Sequence, residues 1–310
     1  MKLFSKSRNK LTKIPITEIK SEKEIQTLIE TNLDELFNLE FVKSEFAVKN
    51  FRIDTLGFDK ENKSFVIIEY KKNKNSSVID QGYTYLSIML NNKSDFILEY
   101  FENCNHTLKK KDVDWSQSRV IFISPNFTEY QKQSINFKDI PFELWEIKTF
   151  GKNLIGLVEH KTDSIESVKS LPNDKDNIIK KVSKEVKVYT EDYHLYERSK
   201  NRPQWVIELY MAIKEKILNL GEVEVVFRGD YISFRKNRPF TDIVIYNKGL
   251  YILINLKRGM LKDPNKETKD MKGLGHWGNG DYSTTVKKDT DLDYLMFLIN
   301  QSYKFHNEKK

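Results

Sequence analysis

The stretch Phe65–Lys72, F-V-I-I-E-Y-K-K, constrains the fold of this chain most. Four apolar residues in a row suit a strand buried on both faces, as in a sheet covered by helices. Side chains alternate along a strand, so Phe65, Ile67, Glu69 and Lys71 share one face. Just upstream, Asp59–Ser64 (D-K-E-N-K-S) has the composition of a hairpin connection. With Lys60–Lys63 as the loop, Asp59 pairs with Ser64, and counting back puts Asp54 opposite Glu69. Two carboxylates opposed at the end of a buried hairpin repel each other. A bound cation reverses that sign, and a hard cation shared by a few carboxylates, waters and a substrate phosphate suits magnesium. A plain hairpin in which Lys71 neutralises Glu69 accounts for these residues equally well at this stage.

Helical signatures flank the hairpin. Ser21-Glu22-Lys23-Glu24 has the spacing of a capping box, and Ile25, Leu28, Ile29, Leu33, Leu36 and Phe37 follow at helical intervals. Glu24 is either that cap or a carboxylate facing a site across the sheet; Glu30 is the alternative acid of the same helix. A second helix starts between Ser76 and Asp80 and runs through Leu90, stacking Gln81 and Tyr85 on one face. Gly82 between them costs that helix roughly 1 kcal/mol relative to alanine and leaves room for close approach of a backbone. Glu40–Ala47 reads as an edge strand, and Ser94–Tyr100, Arg119–Ser124, Phe142–Phe150 and Leu154–Val158 read as further strands. A short helix is expected over Thr128–Ile135. This alternation predicts an α/β domain, a sheet with helices on its faces.

From about His160 to Val188 the chain turns polar and poor in aromatics, as in a linker. The expected division is therefore a first domain over 1–160, a linker over 161–187 and a second domain over 188–310. The second half carries a helix from Pro203 to Leu220 and strand-like segments at Glu222–Phe227, Tyr231–Arg235, Thr241–Tyr246 and Leu250–Leu256. A glycine-rich loop, a short strand at Tyr282–Val286 and a helix from Asp291 to about Tyr303 complete an α+β domain with a mainly antiparallel sheet. A length of 310 residues fits two such domains.

Lys and Arg exceed Asp and Glu by 52 to 45, a balance compatible with a polyanionic partner. The single cysteine, Cys104, excludes an internal disulfide and a cysteine-held zinc, and the five histidines show no metal-ligand spacing. No apolar run reaches the roughly 18 to 20 residues of a membrane helix, and no signal-peptide core follows the basic N-terminus. A cytoplasmic location without a membrane partner is expected.

Taken together, Asp54, Glu69-Tyr70-Lys71 and Gln81-Gly82-Tyr83-Thr84-Tyr85 resemble the PD-(D/E)XK nuclease superfamily over roughly Thr17–Val158, and the last motif resembles the Q-x-x-x-Y helix of its RecB-like branch. Ile53 stands where the family's nominal proline would be. The resemblance implies a restriction-endonuclease-like core and a metal-dependent nuclease that hydrolyses phosphodiester bonds, in the first place a DNA endonuclease. It implies Mg²⁺, with Mn²⁺ as a substitute, held by Asp54, Glu69 and the Tyr70 carbonyl. Lys71 would orient the attacking water or stabilise the transition state, and Gln81, Tyr85 and Glu24 complete the implied catalytic set. Arg52 is a candidate phosphate clamp or else half of a structural ion pair. Nucleic acid is the expected partner, and a homodimer is left open.

The second half resembles an uncharacterised domain found behind such nucleases in bacterial proteins, through Leu256-Lys257, Leu274–Tyr282, Leu292-Asp293-Tyr294 and Gln301-Ser302-Tyr303. Some members are labelled predicted transport protein, which a chain lacking membrane-length apolar runs does not favour. In its loop, His276 and Trp277 are candidates for contact with nucleic acid, Trp277 by stacking on a base; a turn packed into its own core is the competing reading. The alternative function is a catalytically silent nucleic-acid-binding or ligand-sensing protein on a nuclease scaffold.

Overall fold

In the computed structural model, which describes residues 2–19, 21–72, 77–104, 106–162, 164, 166–168, 177–271 and 280–307, the chain forms two units, Met1–Val188 and Tyr189–Lys310. The first runs β1 (Leu3–Ser7), β2 (Lys10–Ile14), β3 (Ile16–Thr17), α1 (Glu22–Thr31), α2 (Leu33–Phe37), β4 (Glu40–Val48), β5 (Phe51–Asp59) and β6 (Ser64–Tyr70). It continues through α3 (Val78–Asn91), α4 (Lys93–Cys104), β7 (Arg119–Ser124), α5 (Glu129–Ser134), β8 (Phe142–Phe150), β9 (Leu154–Glu159) and α6 (Asn177–Glu185). β1 and β2 pair only with each other, a hairpin the sequence reading left unassigned. The other strands form one sheet in the order β3-β8-β7-β6-β5-β4, with β9 also on β8. Pairing is antiparallel across β4, β5 and β6 and parallel across β6, β7 and β8, so the sheet is mixed.

All seven residues of β6 are buried. Phe65 and Ile67 pack with Val78, Leu86, Met89 and Phe96 of α3 and α4. Val66, Ile68 and Tyr70 pack on the other face with Ile25 and Ile29 of α1. Full burial of each such apolar side chain contributes about 1.5–3 kcal/mol. The β5–β6 register runs from Asp59 opposite Ser64 to Thr55 opposite Ile68, as the loop length predicts. Asp54 and Glu69 come next, at the open end of that ladder.

Three expectations need correction. Ser94–Tyr100 is part of helix α4, not a strand. Phe96 and Tyr100, four apart, share one core while Leu98 and Phe101 between and beyond them stay exposed, so the apolar run concealed a helical period. The polar segment 161–187 is more than a linker: it supplies α6, and Val168, Val182 and Val186 are buried in the first unit's core. Three well-spaced valines provide that stripe although the composition around them is polar. At Gly82 the close neighbour is a ring, not a backbone. A Cβ there would lie 2.6 Å from the Phe142 ring, which is buried and packed edge-on against Tyr83 at 4.9 Å.

Gly82→Ala should therefore destabilise the first unit. The helix gains about 1 kcal/mol of propensity, while overpacking a buried ring costs about 1–3 kcal/mol. Urea unfolding should show a lower midpoint; a raised one would mean that Phe142 yields freely.

The second unit contains a π-helical turn at Tyr193–Glu197, then α7 (Gln204–Leu218), β10 (Glu224–Phe227), β11 (Ile232–Arg235), β12 (Pro239–Tyr246), β13 (Gly249–Ile254), β14 (Lys269–Asp270), β15 (Tyr282–Val286) and α8 (Leu292–Asn307). Its strands pair antiparallel in the order β10-β11-β12-β13-β15-β14. Tyr210 and Ile213 of α7 and Leu298 and Ile299 of α8 cover Ile232, Ile243 and Ile252 on one face. Among the described residues no helix is long and apolar enough to cross a membrane.

His194, in the π-helical turn, is 1% exposed, with Nε2 2.7 Å from the Arg228 carbonyl. Burial, aided by the charges of Arg198 and Arg202, pushes its pKa down to about 4. A histidine depressed in the folded state adds stability above its unfolded pKa and loses it as pH falls through the folded value. Between pH 6.5 and pH 4 the second unit should lose about 3 kcal/mol from this group. Thermal melting across that range should show a slope that His194→Gln flattens; an unchanged slope would assign the loss to other groups.

Candidate active site

The open end of the β5–β6 ladder gathers most of the residues singled out above. Asp54, on β5, accepts the Tyr70 backbone N–H through Oδ2 at 3.0 Å. Glu69 accepts from Lys71 Nζ and from Gln81 Nε2 through the same oxygen, Oε1, at 2.9 Å each. Its other oxygen, Oε2, is buried without a hydrogen-bond partner among the described residues. Gln81 Nε2 also reaches the Tyr85 hydroxyl at 3.0 Å, and that hydroxyl donates to the Arg52 carbonyl at 3.3 Å. Gln81 and Tyr85 do stack along α3, and their heads meet at the Glu69 carboxylate.

The electrostatics follow from this burial. Glu69 is 4% exposed. Burial pushes its pKa above the ordinary carboxylate range, the Asp54 charge pushes in the same direction, and Lys71 opposes both. Asp54 is raised too, first by burial and then by Glu45 and Glu22, against the Tyr70 N–H and Lys71. The repulsion inferred from the register is thus present and only partly offset. Burial also raises the Tyr85 phenol, which keeps its proton and remains a donor.

The donor set fits a hard divalent cation. It offers two carboxylates that disfavour their own charges and one buried carboxylate oxygen with no partner. In an extended strand a residue's N–H and C=O point to the same neighbour, so the Tyr70 carbonyl faces the Asp54 side together with its N–H. Among the described residues no group of three or more His, Cys, Asp or Glu is placed to hold a metal.

Other predicted residues lie elsewhere. Glu24 is exposed in the first turn of α1, with its backbone N–H on Ser21 Oγ. The α1 carboxylate that reaches the end of β6 is Glu22, whose Oε1 accepts the Lys72 N–H at 2.6 Å. Two residues along a helix turn the side chain by about 200°, so Glu22 and Glu24 cannot share a direction. Glu30 faces Thr55 and Gln26 instead. Arg52 is largely exposed and its Nε sits 2.9 Å from Glu45, the ion-pair reading. His276 and Trp277 lie outside the described residues. Sequence reasoning missed Glu22 and Glu45; for Glu22 the signal was already present in Ser21-Glu22-Lys23-Glu24, one turn before the apolar stripe.

Fold and site together define a two-unit protein whose first unit gathers an acid pair, a lysine and a glutamine at the end of a mixed sheet, with Glu69 buried and the other three half-buried. The family model described as Domain of unknown function (DUF5655) matches residues 197–306. A Haemophilus influenzae protein described as uncharacterized is 46% identical over 306 residues, covering 98% of this chain and all of that one. The chain belongs to the family of that protein. Among solved structures, an EndoMS–double-stranded DNA complex aligns at 19% identity over 38% of this chain and 43% of that one, with a TM-score of 0.27. A repair endonuclease from Pyrococcus abyssi aligns at 20% identity over 38% of this chain and 44% of that one, with a TM-score of 0.23. The alignments span less than half of those structures, and at such scores they carry no argument.

Proposed function

We propose that the first unit is a metal-dependent nuclease of the PD-(D/E)XK type, acting on DNA as an endonuclease. The observation that carries this reading is the Glu69 carboxylate, buried beside Asp54, with Lys71 and Gln81 on one oxygen and no partner on the other. Asp54, Glu69 and the Tyr70 carbonyl would hold Mg²⁺ or Mn²⁺. When bound, such an ion supplies Lewis acidity toward the scissile phosphate and toward water.

The chain's own residues supply the rest. Lys71, with its ammonium group 2.9 Å from Glu69 Oε1, sets a positive charge and three donors where a phosphoryl group builds negative charge. The Gln81 amide, which also donates to the Tyr85 hydroxyl, holds one oxygen of Glu69 in place. The Gln81–Tyr85 pair is the feature that favours the RecB-like branch. At the same end of the sheet Glu146, on β8, lies within 3.6 Å of Lys132 and Lys148, whose ammonium groups could reach a phosphate, although Glu129 also holds Lys132.

The test is incubation of the full chain with plasmid and single-stranded DNA, with and without Mg²⁺ or Mn²⁺, beside Glu69→Ala. Metal-dependent cleavage that disappears in the variant is expected. Cleavage that survives the substitution or needs no metal overturns the reading, and binding without cleavage across metals and substrates would favour a silent DNA-binding scaffold.

A further inference from the structure

The second unit holds a pocket of ≈ 590 Å³ that the nuclease reading does not use. Its walls come from three places: the chain after the π-helical turn (Arg198, Arg202), the β12–β13 hairpin (Tyr246, Lys248, Tyr251) and the residue after β15 (Lys287). The volume lies within the roughly 300–1,000 Å³ of small-molecule sites. No Asp or Glu is among the lining residues, whereas four cationic side chains are.

These cations are unequally matched. Arg198 is held by Asp230, Nη2 to Oδ1 at 2.9 Å. Among the described residues Arg202 has no carboxylate partner: its Nε donates to the Leu195 carbonyl at 3.1 Å, and its Nη1 is buried with no acceptor. Burial and the neighbouring Arg198 charge both disfavour the protonated Arg202. Lys248 and Lys287 are exposed and form no ion pair among the described residues. A buried guanidinium donor with no acceptor, beside a second arginine and under two lysines, is a site short of an anion. Guanidinium forks match the oxygens of carboxylate and phosphate alike, and two arginines with two lysines suit the higher charge of a phosphoryl group. Beside apolar and aromatic residues, Ser199, Asn247 and Thr285 bring polar side chains to the remaining walls. Tyr246, at 50% exposure, offers a ring face beside the charged floor, which suits a planar group carried by the same ligand.

We propose that this pocket binds a nucleotide, with its phosphates on Arg202, Arg198 and the two lysines and its base against Tyr246. The pocket lies wholly within the segment matched by the domain of unknown function, so the proposal gives that domain a ligand class.

Isothermal titration of the full chain with AMP, ATP, inorganic pyrophosphate and a short single-stranded oligonucleotide tests it at moderate salt. The expected result is saturable binding of a mononucleotide. Arg202→Gln and the exposed Lys248→Ala should each weaken it, the former by about tenfold or more. Tyr246→Ala should weaken the nucleotide while leaving pyrophosphate unchanged. Circular dichroism melting shows whether Arg202→Gln stays folded, and Lys248→Ala, on a turn, keeps the test valid if it does not. No binding of any of the four, equal binding by all three variants, or pyrophosphate binding as tightly as the nucleotide overturns the proposal. Binding of the oligonucleotide in clear preference to mononucleotides also overturns it, because the pocket would then be part of a strand track. None of these readouts depends on cleavage in the first unit.

Discussion

Glu69→Gln should uncouple the first unit from divalent cations while leaving it folded. The substitution keeps the shape of the side chain and an oxygen that can accept from Lys71 and Gln81. Two opposing changes act on stability in the absence of metal. Removing a charge raised by burial and by Asp54 relieves the site, while a buried amide N–H₂ at the unpartnered Oε2 position costs about 1–3 kcal/mol. These nearly cancel, so the metal-free melting temperature should move little. With metal the parent and the variant part company. A cation at 100 times its dissociation constant stabilises the parent by about 2.7 kcal/mol, and the variant should lose most of that gain. DNA cleavage should fall by a factor on the order of 10³. Differential scanning fluorimetry with Mg²⁺ and Mn²⁺, beside a cleavage assay, checks both. A parent with no cation-induced shift, or a variant that cleaves at the parental rate, would remove the metal from Asp54 and Glu69.

The same carboxylates fix a pH dependence. Their folded pKa values are raised, so the stability they contribute is fully present below their unfolded values. It is lost as pH rises from the ordinary carboxylate range through the raised folded ones. In metal-free protein this group of residues should therefore stabilise less at pH 8 than at pH 4, and Asp54→Asn should flatten that trend. A divalent cation competes with the protons, so its affinity should rise over the same window.

Arg119→Met should give the largest loss of stability among single substitutions at polar residues of the first unit. Arg119 Nη1 lies 3.0 Å from Asp59 Oδ2 and its Nε 2.7 Å from Glu143 Oε1. It thereby joins the β5–β6 turn, the first residue of β7 and the second residue of β8. Asp59 is only 5% exposed at its side chain and Glu143 25%, so removing the cation leaves two carboxylates that water reaches poorly without their counter-charge, although Asn62 still donates to Asp59 and Trp145 to Glu143. Breaking a fully buried pair costs about 3–5 kcal/mol; with a fifth of the arginine side chain exposed, a loss of about 2–4 kcal/mol is expected. Urea unfolding measures it, and Asp59→Asn in the same background should recover part of the loss. A change below about 1 kcal/mol would class the triad with ordinary surface pairs.

Much of this architecture was legible because local rules sufficed. A turn of known length fixed the β5–β6 register, and a four-residue spacing brought the heads of Gln81 and Tyr85 together at Glu69. Where the sequence misled, long-range packing had decided. Leu98 and Phe101 face solvent although they are as apolar as their buried neighbours, so nothing local marked α4 as a helix. Val168, Val182 and Val186 are buried because the core of the first unit has room for them, which no composition count reveals. Glu24 and Glu30 are the α1 acids that the sequence offers, and Glu22 stands out only once the end of β6 lies near the first turn of α1. Glu45 stayed hidden for a different reason: Ser44 opposes Thr55 and Phe46 opposes Ile53, so only the β4–β5 register sets it across from Asp54.

The pairing of β3 with β8 bears on the order in which the first unit folds. Its two contacts, Ile16 with Phe150 and the hydroxyls of Thr17 and Thr149, close a loop in which the threonines are 132 residues apart. The polar contacts of the acid pair close loops of 12 and 16 residues. Closing long loops sets the slow steps of folding, and chains leaving the ribosome fold N-terminal segments first. The β5–β6 ladder that carries the acid pair can therefore form while β8 is still unsynthesised, whereas β3 must wait, its Ile16 unpaired, until the strand that receives it emerges. A strand made early is thus among the last to be secured.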